Sequence, residues 1–77
     1  MATPVEIVEK TLKVIDSCTN LDYILMMNEY VDLASKQILK KKCTKNYILA
    51  TTIREAAHYK VIGLLKLKEL EFDERSN

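Results

Sequence analysis

One glycine, one proline and two cysteines in 77 residues leave little from which to build irregular structure. With only Gly63 and Pro4 as breakers, neither long loops nor a turn-rich β-sandwich is expected. A single glycine also excludes a glycine-rich phosphate loop. Cys18 and Cys43 are too few for a disulfide-stapled scaffold and read as reduced thiols. A bridge between them is open in principle, since each follows a helix end, but sequence alone cannot pair them. His58 is the only histidine, and no C-x-x-C or H-x-x-x-H spacing arises. Neither a metal site nor a cofactor is therefore expected. Cys43 and His58 are the residue types of a nucleophile pair, yet nothing supplies an oxyanion donor or an orienting third group. Enzymatic activity is not expected. The longest apolar run, Tyr23–Met27, is five residues, far short of the roughly 18 a membrane span needs. The first ten residues carry Glu6 and Glu9 and lack the apolar stretch of a signal peptide. These absences point to one cytoplasmic domain over residues 1–77, with no membrane contact. A chain this short buries only roughly 60–65% of its unfolded surface, so its stability is expected to be a few kcal/mol.

What is present is helical pattern. Thr3-Pro4-Val5-Glu6 reads as a helix start: Thr3 caps, Pro4 suits the first position, and Glu6 can close a capping box. Val5, Val8, Leu12 and Ile15 then share one face, with Ile7 and Val14 beside it, which predicts a helix over Pro4–Ser17. Thr19-Asn20-Leu21-Asp22 repeats the capping logic. The second helix places Ile24, Met27, Val31, Ala34 and Ile38 inward and is expected to end near Lys41. Leu21, Leu25 and Tyr30 widen that face; Tyr23, Met26 and Leu33 lie to its side. Asp32 and Lys36 form a favourable i,i+4 pair. Thr44 or Asn46 can cap a third helix. Its inward stripe is read as Leu49, Ile53, Ala56, Gly63, Leu67 and Leu70, with Ile48, Tyr59 and Ile62 to one side. From Asn46 to Phe72 this helix would be roughly 40 Å long, twice the first. Gly63 is the natural place for a kink, a break into a fourth helix, or the close approach of another helix. Residues 73–77 read as a frayed acidic tail. The expected fold is all-α: a small antiparallel bundle of three or four helices.

Charge is unevenly spread. Residues 33–68 hold nine Lys or Arg against one acid, Glu55. Residues 1–32 hold six acids against two bases, and residues 69–77 four against one. The net +1 therefore hides segments of about −4, +8 and −3. The basic segment centres on the joint between the second and third helices, Ser35–Asn46, with five lysines and no acid. Lys36, Lys40, Lys41, Lys42 and Lys45 are candidates for phosphate contact, with Arg54 and Lys60 extending the track and His58 beside them. The plainer reading is a solvated charge run that suits a helix C-terminus. Ten lysines to two arginines favour loose backbone contact over bidentate base reading. Tyr47 and Tyr59 sit among these bases and are the better stacking candidates, Tyr47 above all. A tyrosine at a core edge with its hydroxyl in water explains the same pattern.

Helix 2 is apolar over more than one stripe. Tyr23 to Met27 cannot all face one small core. Tyr23 and Met26 are candidates for a protein-interaction surface, unless the bundle buries this helix on two sides.

Ile15-Asp16-Ser17-Cys18-Thr19, followed by Tyr30-Val31-Asp32-Leu33 and Lys36, resembles a known family. It is similar to the small helical protein that accompanies the UvsW helicase in T-even-type bacteriophages, over about residues 5 to 70. That resemblance implies a compact helical bundle, like the helicase-and-RNase-D C-terminal module of RecQ helicases, which binds DNA structures as an accessory. It carries no functional residue over. The expected function is a non-enzymatic module that binds single-stranded or forked DNA weakly and serves a helicase in recombination, replication or repair. The alternative is a protein-interaction or inhibitor module that docks through helix 2. Self-association into a larger bundle is a third reading.

Overall fold

Thr3 opens the first helix as its residues predict: its Oγ1 accepts from the Glu6 amide at 3.2 Å, and Pro4 follows at the first helical position. The structure is a computed structural model that describes residues 2–76, with side chains through residue 70. Helix α1 runs over Pro4–Ser17. Asn20 then caps a single 3-10 turn, Leu21–Tyr23, by accepting from the Asp22 amide at 2.9 Å. Helix α2 follows over Ile24–Ile38, and helix α3 over Thr44–Ser76. Short connections turn each helix back on the one before it, which makes a three-helix bundle.

Helix α2 buries Met27, Val31, Ala34 and Ile38 with Ile24 half-buried, the face its spacing predicts. Leu25 is a correction: it is 70% exposed, because at about 100° per residue it points away from that face. Tyr30 also stays exposed. In α1 the buried set is Ile7, Val8, Thr11 and Ile15, while Val5 and Leu12 are exposed. Thr11 is fully buried because its hydroxyl donates to the Ile7 carbonyl at 2.7 Å, which removes the cost of an unpaired polar group.

Helix α3 departs most from expectation. It buries Asn46, Ala50, Ile53, Ala57 and Leu64, and leaves Gly63, Leu67 and Leu70 exposed. Its seam is spaced four, three, four and seven residues, and two of its five residues, Ala50 and Ala57, are small enough to let α1 and α2 approach closely. It begins at Thr44, so neither Thr44 nor Asn46 precedes it as a cap. At 33 residues it is about 50 Å long, and it sets the 52 Å length of a molecule only 20 by 15 Å across. Helices α1 and α2 are less than half as long, about 20 Å each. Their connection, at Thr19–Asp22, shares a cleft with Leu64, Leu67 and Lys68. Leu67 lines that cleft yet stays exposed, as do Leu65 on another face at the same level and Leu70 beyond it. The helix also runs through residues 73–76 rather than ending near Phe72; Asn77 and the side chains of the acidic tail lie outside the described residues.

Gly63 neither breaks the helix nor receives a neighbour. The helix is continuous through it, and a Cβ built there meets nothing within 4 Å. Gly63→Ala is therefore expected to stabilise the protein by about 0.5–1 kcal/mol, through the lost freedom of the unfolded chain. Thermal denaturation followed by circular dichroism would show a rise of a few degrees. A fall would mean that the open space beside Gly63 is occupied in solution.

Candidate nucleic-acid interface

The α2–α3 corner is where the lysines gather. Helix α2 stops at Ile38, three residues before the expected end, and the chain tightens: the Leu39 amide bonds to the Ser35 carbonyl at 2.9 Å and the Lys40 amide to the Gln37 carbonyl at 3.4 Å. The first turn of α3 closes with the Tyr47 amide on the Cys43 carbonyl at 3.0 Å. Between them, Asn46 is 4% exposed, and its Nδ2 donates to the carbonyls of Ile38, at 3.0 Å, and Lys41, at 2.9 Å. One side chain thus fastens the end of α2 and the lysine turn to the start of α3. The sequence reading missed this role. The signal was a polar residue in phase with Ala50, Ile53 and Ala57, since a buried amide needs partners. Asn46→Ala leaves two carbonyls without their donor and is expected to cost about 1–3 kcal/mol. Urea denaturation measures it; a change below about 0.5 kcal/mol, the range of an ordinary surface substitution, would show that the corner holds without Asn46.

Lys40, Lys41, Lys42 and Lys45 are all exposed on this corner, and among the described residues none of the four makes an ion pair. The corner also carries the N-terminal end of α3, whose first amides add partial positive charge. The lysines simultaneously offset the carbonyl end of α2, so their presence has a stabilising use as well. Lys36 adjoins them from the last turn of α2 and meets Asp32 at 3.0 Å, as its spacing predicts. That pair is exposed and contributes at most about 1 kcal/mol.

Arg54 and Lys60 do not extend the patch as a track. Arg54 Nε donates to the buried Ser35 hydroxyl at 3.2 Å, and its Nη2 lies 3.9 Å from Asp32. The guanidinium is held across the α2–α3 seam beside an acid. Lys60, six residues on, is rotated about 120° away. It falls in phase with the seam and is half-buried, the usual state of a lysine whose stem covers apolar surface. Tyr47 is 50% exposed, but two residues of helix turn it to the far flank from Lys45. The coherent cationic feature is the compact corner of Lys36, Lys40, Lys41, Lys42 and Lys45.

Other chemistry fits poorly. Cys18 and Cys43 are free and stand at opposite ends of α2, about 22 Å of helix apart, which is beyond disulfide reach. Cys43 and His58 are separated by about the same length of α3. Among the described residues, no group of three His, Cys, Asp or Glu side chains is placed to hold a metal ion. No helix among them is long and apolar enough to cross a membrane. Tyr23, the last residue of the 3-10 turn, and Met26 of α2 lie exposed and line a groove with Val14 and Ser17 of α1 and Cys18 just after it. Compared with family models, curated proteins and solved structures, the chain matches none.

Proposed function

We propose that this chain is a non-enzymatic nucleic-acid-binding module that holds phosphates at its α2–α3 corner. One observation carries the reading: four exposed lysines without an acid partner among the described residues, on a turn fastened by a buried asparagine. A fastened turn presents its charges with little ordering to do on binding. Lys40, Lys41, Lys42 and Lys45 position the backbone, and Lys36 adds to the field. Lysine contacts of this kind follow phosphate and read no sequence. The binding is weak, because a handful of point charges is the whole of it. The resemblance to the UvsW-associated protein adds a setting, assistance to a helicase at single-stranded or forked DNA during recombination, replication or repair.

The test is a titration of the protein against labelled single-stranded, duplex and forked DNA at low and moderate salt. Binding that weakens steeply with salt is expected, and a preference for forks would favour the helicase setting. Failure to bind any of the three at low salt would overturn the proposal and leave the lysines as a solubility and helix-end feature.

A further inference from the structure

Beside the lysine corner, α2 and α3 enclose a groove with a different chemistry. The two helices run antiparallel, and Arg54 stands level with Asp32, its Nη2 3.9 Å from the carboxylate. One turn further from the corner, Asn28 of α2 and His58 of α3 come level in the same way, because residues four apart share a helix face. These four side chains are exposed and rim a groove of about 390 Å³. Its floor includes the buried Val31 and Ala57. An apolar floor with a few convergent polar groups is the build of a small-ligand site.

The rim sets an acceptor beside a donor. Arg54 is steadied by its Nε bond to the Ser35 hydroxyl at 3.2 Å, which leaves its terminal amino groups for another acceptor. Lys36 engages Asp32 at 3.0 Å, but a carboxylate has about four lone-pair sites and keeps room for more donors. The ligand that matches is a flat ring with apolar faces and an edge of adjacent donors and acceptors, which describes an unpaired nucleobase. Guanine matches best: its N1–H and N2 amino group are neighbouring donors for one carboxylate, and its O6 is an acceptor for a guanidinium. Thymine has a single donor between two acceptors. We propose that the groove takes one unpaired guanine, with Asp32 accepting from N1 and N2, Arg54 donating to O6 and the His58 ring against the face of the base. Lys36 lies one turn from Asp32 towards the corner, so a strand seated here leads its phosphates onto the lysines. For that setting alone the inference rests on the phosphate reading; it adds a base preference that lysines cannot supply.

His58 is the only histidine, so its ring protons are an unambiguous probe by proton NMR. Guanosine monophosphate at millimolar concentration should shift them through the ring current of the base, and thymidine monophosphate should not. In parallel, a short thymine strand with one central guanine should bind the full chain at least about fivefold more tightly than the all-thymine strand, the lower end of what one bidentate base contact discriminates. Asp32→Asn, with helicity checked by circular dichroism, should erase that difference, because an amide cannot accept from both guanine donors. Equal binding of the two strands, or a difference that survives Asp32→Asn, would overturn the guanine site while leaving the phosphate reading in place. A guanine-specific shift of His58 with no binding of either strand would support the groove as a site for the free nucleotide and overturn the phosphate reading instead. His58 signals that ignore both nucleotides would overturn the site itself.

Discussion

Replacing Lys40, Lys41 and Lys42 together with glutamate is expected to abolish measurable DNA binding at moderate salt. At low salt the loss should exceed about tenfold, because three phosphate contacts become three repulsions. All three side chains are exposed and, among the described residues, unpaired, so the core is untouched. Glutamates near the carbonyl end of α2 would cost some helix stability. Glutamine at the same three positions removes the charge without that penalty and should lose binding to a lesser degree. Circular dichroism should report the same helix content for wild type and both variants. Binding that survives both changes would remove the corner from the function.

Ile53→Ala is expected to be the most destabilising single truncation in the chain. Ile53 is 0% exposed and sits where α3 packs against both shorter helices, in one cluster with Ile38, Val31, Val8 and Ile15. Its neighbours along the seam are Ala50 and Ala57, which have no side-chain reach with which to fill a void. The expected cost is about 2–5 kcal/mol. For a chain of 77 residues the total stability is only about 4–12 kcal/mol, so the melting temperature should fall by roughly 10–30 °C. Thermal unfolding of the variant checks this. A loss within about 0.5 kcal/mol, typical of a surface position, would mean that the three helices do not converge on Ile53.

The elements differ in how much of this the sequence discloses. The bounds of helix α1 are legible because Thr3, Pro4 and Glu6 mark its start and Thr19-Asn20 opens the next cap, but its inward face is only half legible: Val5 and Leu12 are exposed, and Ile7 and Thr11 are buried. The core face of α2 is legible because its inward residues are large and regularly spaced. Helix α3 is not, for two physical reasons. Its buried seam uses Asn46, Ala50 and Ala57, which weigh little in any hydrophobic pattern. Its conspicuous leucines, Leu67 and Leu70, lie at or past the cleft where the shorter helices turn, so they draw the reading towards a face that stays exposed. Gly63 misled in the same way: a glycine in a long helix suggests a kink or a close contact, yet here it stands on an open surface.

The candidate site shows the same division. That lysines crowd the α2–α3 joint is plain from charge counting. That Asn46 fastens the joint, and that Arg54 is engaged by Ser35 and Asp32, depends on which helix faces which, and only the fold supplies it. The rotation that parts Lys60 from Arg54 follows from helical phase and was available once α3 was known to be unbroken.

The decisive measurement is the slope of log affinity against log salt for single-stranded and duplex DNA, with the wild-type chain and the glutamine triple variant. Each phosphate contact contributes about 0.7 to that slope on a single strand and about 0.9 on a duplex. If Lys40, Lys41 and Lys42 lie on phosphates, the wild-type slope is steep and the variant's is shallower by about two to three. An affinity that does not change with salt, or two slopes that coincide, would contradict phosphate binding at this corner.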